Sequence, residues 1–274
     1  MRVFISSDIE GVAGVVSSPE TATAGFDWSR ARERMTREVL AAMEGAREAG
    51  ATGFVVADSH GSGLNLLPEM LPDDAELVRG WPRPLLMMEG IDQGPFDCAF
   101  LLGHHAGAQW GGGGLAHSFS SRMIASFKVC GRELPEAGLN AAIASQYGTP
   151  VTLVSGDDAC IAEVTALLGP IETVITKRSL GFSAAAGSSP AVVETRLREA
   201  ARKAIAAAAG AALWRLEGPL VVDIVFKTPL MAEVLAYLPL FERTGAASIR
   251  FEAVDAAQVS RYLQFFIQTL PALI

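Results

Sequence analysis

Four short apolar runs, each ending abruptly in a polar or charged cluster, constrain this chain more than any other feature. Val3-Phe4-Ile5 leads into Asp8 and Glu10, and Phe54-Val55-Val56-Ala57 leads into Asp58, Ser59 and His60. Cys98 to Gly103 leads into His104 and His105, and Thr149 to Val154 into Gly156, Asp157 and Asp158. Runs that are apolar at successive positions suit strands buried on both faces of a parallel sheet. Between the first two runs, residues 28–49 carry Met35, Val39, Ala42, Met43 and Ala46 at helical spacing, with Gly50 as the stop. A strand–helix–strand order implies a right-handed crossover and a parallel pair. The polar clusters then gather on one edge of the sheet, the carboxyl edge, where open α/β sheets bind ligands.

The rest of the chain continues the alternation. Residues 15–27 are polar and bear Gly and Pro, long enough for a functional loop. A strand is expected from His117 to about Val129, then a turn at Gly131-Arg132 and a helix from Pro135 to Tyr147. Helix 159–168 and strand 172–177 precede a Ser/Gly/Ala-rich loop at 179–190. An Ala-rich helix (191–209), strand 220–226, helix 230–238, strand 247–251 and helix 256–269 complete the pattern, with no internal repeat. The expected fold class is α/β, a mostly parallel sheet flanked by helices. The break near 181–190 divides a main domain (1–180) from a smaller C-terminal α+β region (181–274), packed on the first and involved in assembly.

Composition narrows the class. Of 274 residues, 50% are hydrophobic and 19% charged, enough for a sizeable core. A net charge of −8 argues against nucleic acid and anionic membranes as partners. Cys98, Cys130 and Cys160 are odd in number and lack C-x-x-C spacing, so neither a disulfide framework nor a Cys-type zinc site is expected. Met1-Arg2-Val3 runs into a strand without a signal-peptide apolar region, and the most apolar helical stretch, 204–214, is too short to span a bilayer. A cytoplasmic location is expected.

Asp8 and Glu10, two apart in extended chain, point the same way. Alone, the pair is weak evidence and reads first as a polar strand end capped by a turn. All four histidines of the protein, however, fall at strand ends or loop starts in the first half: His60, His104, His105 and His117. Histidine and carboxylate together are the ligand set for zinc and similar divalent ions, and their number suffices for two metals.

These blocks resemble the D-aminopeptidases of the dipeptide-permease operon type, peptidase family M55. The resemblance is carried by Ser7-Asp8-Ile9-Glu10-Gly11, Asp58-Ser59-His60, Leu102-Gly103-His104-His105-Ala106, Ala116-His117-Ser118, Glu136-Ala137-Gly138-Leu139-Asn140 and Gly156-Asp157-Asp158, in the family's order. It implies Asp8 bridging two zinc ions, Glu10 and His105 on one, His60 and Glu136 on the other, and His117 as the catalytic histidine. Asp58 would orient His60 or its loop, and His104, where the family allows Tyr, would pack. The loop before His117 is one residue longer than the family's. Glu136 rather than Glu133 is the expected ligand, because Pro135 starts a helix that holds it, with Asn140 one turn on as a hydrogen-bond partner. The implied activity is hydrolysis of short peptides with an N-terminal D-residue, such as D-Ala-D-Ala, by a two-metal-activated water. The implied assembly is a homodecamer of two stacked pentameric rings. Another two-metal hydrolase (for an amide or phosphate ester) and a non-catalytic metal-binding assembly protein share the same residues; Gly11 to Gly14 is not a phosphate-binding P-loop.

Overall fold

The computed structural model describes residues 1–273. In chain order, β1 (Arg2–Ser7), α1 (Ser18–Thr21), α2 (Trp28–Glu48), β2 (Gly53–Asp58), β3 (Ala75–Val78) and β4 (Cys98–His104) form the first third. Next come β5 (Ile124–Val129), β6 (Arg132–Glu133), α3 (Glu136–Gln146), β7 (Val151–Asp157), α4 (Asp158–Leu168), β8 (Glu172–Gly181) and β9 (Ala184–Gly187). The last third holds α5 (Pro190–Ala207), β10 (Leu220–Phe226), α6 (Pro229–Leu235), β11 (Glu242–Arg243), β12 (Ser248–Ala253) and α7 (Ala256–Thr269).

The main sheet runs β3-β2-β1-β4-β7-β8-β9, parallel except for the terminal β9. Successive strand residues serve opposite faces. On β1, Val3 and Ile5 join Phe54 and Val56 of β2 and Phe100 of β4 beneath α2 and α5. Phe4, Val55 and Leu101 face the opposite layer, with α3, α7 and the second sheet. This double burial is why the strands read as continuous apolar runs.

The second sheet, β11-β12-β10-β5-β6, is antiparallel. Phe241, Phe251, Tyr262 and Phe266 pack edge-to-face beneath it, with ring centroids 5.3–6.1 Å apart, and seat α7.

Three expectations need correction. The division at 180/181 does not separate the sheets. β5 and β6, from the first part of the chain, complete the C-terminal sheet, while α5, from the second part, packs on α2 through Val193, Leu197 and Ala201. The Ser/Gly/Ala-rich segment 179–190 is not simply a loop: Lys177 pairs with Gly187 and Ser179 with Ala185, so most of it forms a hairpin on the main sheet. The strand expected from His117 begins only at Ile124, because Phe119 takes φ +58° and the Ser120 carbonyl accepts the Met123 and Ile124 N–H groups in a turn.

Candidate dinuclear metal centre

β1 is a central strand flanked by β2 and β4, with Ser7 level with Asp58 on one side and Leu102 on the other. Residues just past the three strand ends therefore converge, with Asp8 in the middle. The approach is unusually close. Asp8 N–H donates to Leu102 O (2.8 Å) and Gly11 N–H to Gly103 O (2.7 Å). A Cβ on Gly11 would stand 2.0 Å from His104 O, and one on Gly103 would stand 2.3 Å from Asp8 O. Only glycine allows these two backbones to touch.

Asp8 faces a histidine with each oxygen. Its Oδ1, which accepts Ile9 N–H at 2.8 Å, lies 3.2 Å from His60 Nδ1; its Oδ2 lies 3.5 Å from His105 Nε2. Glu10 Oε2 is 2.9 Å from His60 Nδ1, and Glu136 Oε1 is 3.6 Å from His105 Nε2 and 3.7 Å from His117 Nε2. Two ligand groups result, Asp8 with Glu10 and His60, and Glu136 with His105 and His117; within each, the donor atoms lie within 4.8 Å of one another. The side chains group differently from the pairing implied by the resemblance, Glu10 with His105 and His60 with Glu136. Glu10 lies with His60 because β1 and β2 are neighbours, and Glu136 lies with His105 because α3 packs on β4.

His60, His105 and His117 are each fixed through one ring nitrogen on a backbone carbonyl. His60 Nε2–H donates to Thr21 O (2.8 Å), His105 Nδ1–H to Ala106 O (2.9 Å) and His117 Nδ1–H to Leu115 O (3.0 Å). A carbonyl only accepts, so the opposite nitrogen of each ring is the one turned toward the carboxylates, and once deprotonated it is free to bind a metal. The rings of His105 and His117 stack, centroids 4.0 Å apart.

Two donor atoms of this cluster, His105 Nε2 and Glu10 Oε2, are buried without a hydrogen-bond partner. The carboxylates make the site strongly cation-seeking. Burial disfavours charge on His105, but Glu136 and then Asp8 outweigh it and raise its pKa to about 10. Burial raises Glu136 too, yet His105 and His117 bring it down to about 2. Asp8 is pushed up to about 7 by burial and by Glu10. A buried set of imidazole and carboxylate donors at these spacings fits divalent metal.

The neighbours of the cluster differ partly from expectation. Asp58 holds the loop of His60 rather than its ring: its oxygens accept the Asn65 N–H (2.5 Å), the Leu66 N–H (2.7 Å) and Asn65 Nδ2 (2.8 Å), and Asn65 Nδ2 also donates to His60 O (2.7 Å). Asn140 does not reach Glu136; its Nδ2 faces Met87 Sδ at 3.7 Å, and it is Phe119 N–H that donates to Glu136 (2.5 Å). Glu133 lies outside the site, bonded to Ser126 Oγ at 2.6 Å. His104 is buried with both ring nitrogens unpaired, neutral because burial lowers its pKa to about 4.

Sequence reasoning missed Lys177 and the role of Asp157. Lys177 Nζ, almost wholly buried, donates to Glu10 O and to Val12 O (3.0 Å), pinning the loop that carries Asp8 and Glu10. Asp157 accepts Gly114 N–H (2.8 Å) and Ser179 Oγ–H (2.9 Å), steadying the glycine loop before His117. Asp157 ends β7, so the rule that selected Asp8 and His60 reaches it; Lys177 stands level with it on β8 but reads in sequence as a solvated lysine.

A cavity of about 650 Å³ opens from this cluster, lined by Asp8, Glu10, His60, His117 and Glu136 and extending toward Phe119, Phe182 and Gln264. Residues 1–265 match peptidase family M55, described as D-aminopeptidase. The chain belongs to the M55 D-aminopeptidases. It is 32% identical over 258 residues to a D-aminopeptidase of Bacillus subtilis (strain 168), covering 93% of this chain and 92% of that protein. The solved structure described as the Zn-dependent D-aminopeptidase DppA from Bacillus subtilis, a self-compartmentalizing protease, superposes with a TM-score of 0.91 at 30% identity, covering 100% of this chain and 98% of that one. Family membership makes the chain a metallopeptidase of mixed α/β fold, and its M55 sequence blocks supply the residues that converge at the sheet edge.

Proposed function

We propose that this M55 enzyme hydrolyses short peptides with an N-terminal D-residue using two zinc ions. Asp8 would bridge them, Glu10 and His60 completing one site and His105 and Glu136 the other. The observation that carries this reading is the placement of Asp8, one oxygen toward each histidine. A division into two equivalent sets, each with one histidine and one glutamate about the shared aspartate, leaves His117 over. Its side chain keeps 17% of its surface exposed against 1% for His105. It is therefore read as the catalytic group rather than a ligand.

Bound zinc supplies Lewis-acid polarisation of the scissile carbonyl and activates water near neutral pH. The protein's own groups do the rest. His117, held by Leu115 O and kept neutral by burial and by His105, presents Nε2 to the cavity as a proton acceptor, able then to return a proton to the leaving amine. Leu86, Met87, Phe119 and Phe182 give the cavity an apolar wall. Phosphate esters are disfavoured: Arg122 is the single Lys or Arg among the described residues lining the cavity.

A cytoplasmic homo-oligomer, two stacked pentameric rings, is part of the proposal. The relative titled self-compartmentalizing supports it, as do exposed Tyr237, Leu240 and Val254 on the C-terminal part. The test is elemental analysis of chelator-free protein together with a panel of paired D- and L-dipeptides and a phosphate ester. About two zinc ions per chain and hydrolysis confined to N-terminal D-peptides are expected. Full activity of metal-free protein would end the proposal.

A further inference from the structure

We infer that Glu163 is a positioning residue: by holding the Ala106–Gly107 peptide it fixes His105 and His117 together, the one for metal and the other for proton transfer. The inference rests on the metallopeptidase reading above and adds to it a residue of α4 outside the ligand set.

Glu163 lies on the inner face of α4, buried with Cys160, Ile161 and Val164. A carboxyl group on an apolar helix face is costly unless a donor meets it. The donor is the Gly107 N–H, 2.7 Å from Oε2. The same peptide unit turns its other end, Ala106 O, toward the site. That oxygen accepts the His105 Nδ1–H at 2.9 Å and the His117 backbone N–H at 3.3 Å. One carbonyl therefore aims the imidazole of a proposed ligand and anchors the main chain of the proposed catalytic residue. A second bond, Ala108 N–H to Ser118 Oγ at 3.2 Å, ties the two segments just beyond. This shared anchor keeps the two stacked rings, centroids 4.0 Å apart, in register.

The approach is tight. A Cβ on Gly107 would stand 3.1 Å from Glu163 Oε1, 3.5 Å from Oε2 and 3.5 Å from the Cα of Pro135, the residue before Glu136. The peptide is thus wedged between α4 and the start of α3, the helix that carries Glu136. Hydrogen bonds in series polarise one another, so the Glu163 acceptor also strengthens Ala106 O as an acceptor. A metal-bound imidazole depends on the group that holds its second nitrogen, and loss of such support costs about 10–100-fold in metal affinity or activity.

The experiment compares zinc-loaded wild type with Glu163→Met, which keeps the volume and removes the acceptor, and Glu163→Gln, which keeps an acceptor oxygen without the charge. Hydrolysis of D-Ala-D-Ala, zinc retained per chain during dialysis against a chelator, and thermal unfolding are measured on each. Glu163→Met should lower kcat about 10–100-fold with little change in KM, and should release zinc faster. Glu163→Gln should recover most of both losses. Glu163→Asp, which withdraws the carboxylate by one methylene, carries the test if Glu163→Met does not fold, and should show the same losses. Wild-type kcat and zinc retention in the variant that lacks the acceptor, even with a lowered unfolding temperature, make Glu163 a packing residue and refute the inference. A Glu163→Gln variant as impaired as Glu163→Met refutes it too, and in both cases the metallopeptidase reading stands. A zinc-loaded wild type that cleaves no peptide refutes that reading and the inference with it.

Discussion

Glu38 offers the sharpest test of how the metal-binding loop is held. It is buried on α2, with Oε1 accepting Ala13 N–H at 2.8 Å and Oε2 without a partner, so it ties α2 to the loop that carries Asp8 and Glu10. Burial raises its pKa from 4.5 to about 7. The folded state then binds more protons than the unfolded state between those values, so stability falls as pH rises through this window. Integrated from about pH 5 to about pH 7.5, the loss is roughly 2 kcal/mol. Glu38→Gln keeps an acceptor for Ala13 and removes the titration. The assay is urea unfolding of both zinc-loaded proteins at equal concentration at those two pH values. Asp8 and the histidines titrate in both proteins and cancel in the difference. The variant should gain roughly 2 kcal/mol on wild type between the lower and higher pH. A difference that does not change with pH would refute the reasoning.

Glu136→Gln should lower zinc toward one ion per chain and abolish hydrolysis, whereas Glu133→Gln, whose residue bonds Ser126 instead, should change neither; elemental analysis and a D-dipeptide assay distinguish them. His117→Ala should retain both metals and the fold but lose about 10²–10⁴-fold in kcat; loss of one zinc instead would make His117 a ligand, as its place beside His105 and Glu136 permits. Light scattering should report a large ring assembly, and a stable monomer at working concentrations would overturn that part of the proposal.

The strands and their polar ends were legible in the sequence for a physical reason. Strands buried on both faces must be apolar at every position, and a parallel sheet delivers every carboxyl end to one edge, which marks Asp8, His60 and His105 as residues of one site. The helix start at Pro135 likewise separated Glu136 from Glu133, because a residue lacking N–H marks the first turn. The order of strands across the sheet was not legible. Local pattern does not say that β1 lies between β2 and β4, and that order is what places Asp8 between two histidines and sets Glu10 beside His60. Nor could local pattern reveal that residues 124–133 complete a sheet with strands from the last third, since antiparallel partners from distant segments leave no periodic signal at either site. Lys177 shows the same limit: a lysine at a strand end looks solvated in sequence, and only the loop folded over it makes it a buried clamp on Glu10. Composition and period determined which residues are chemical and which are core; strand order and loop closure decided which of them meet.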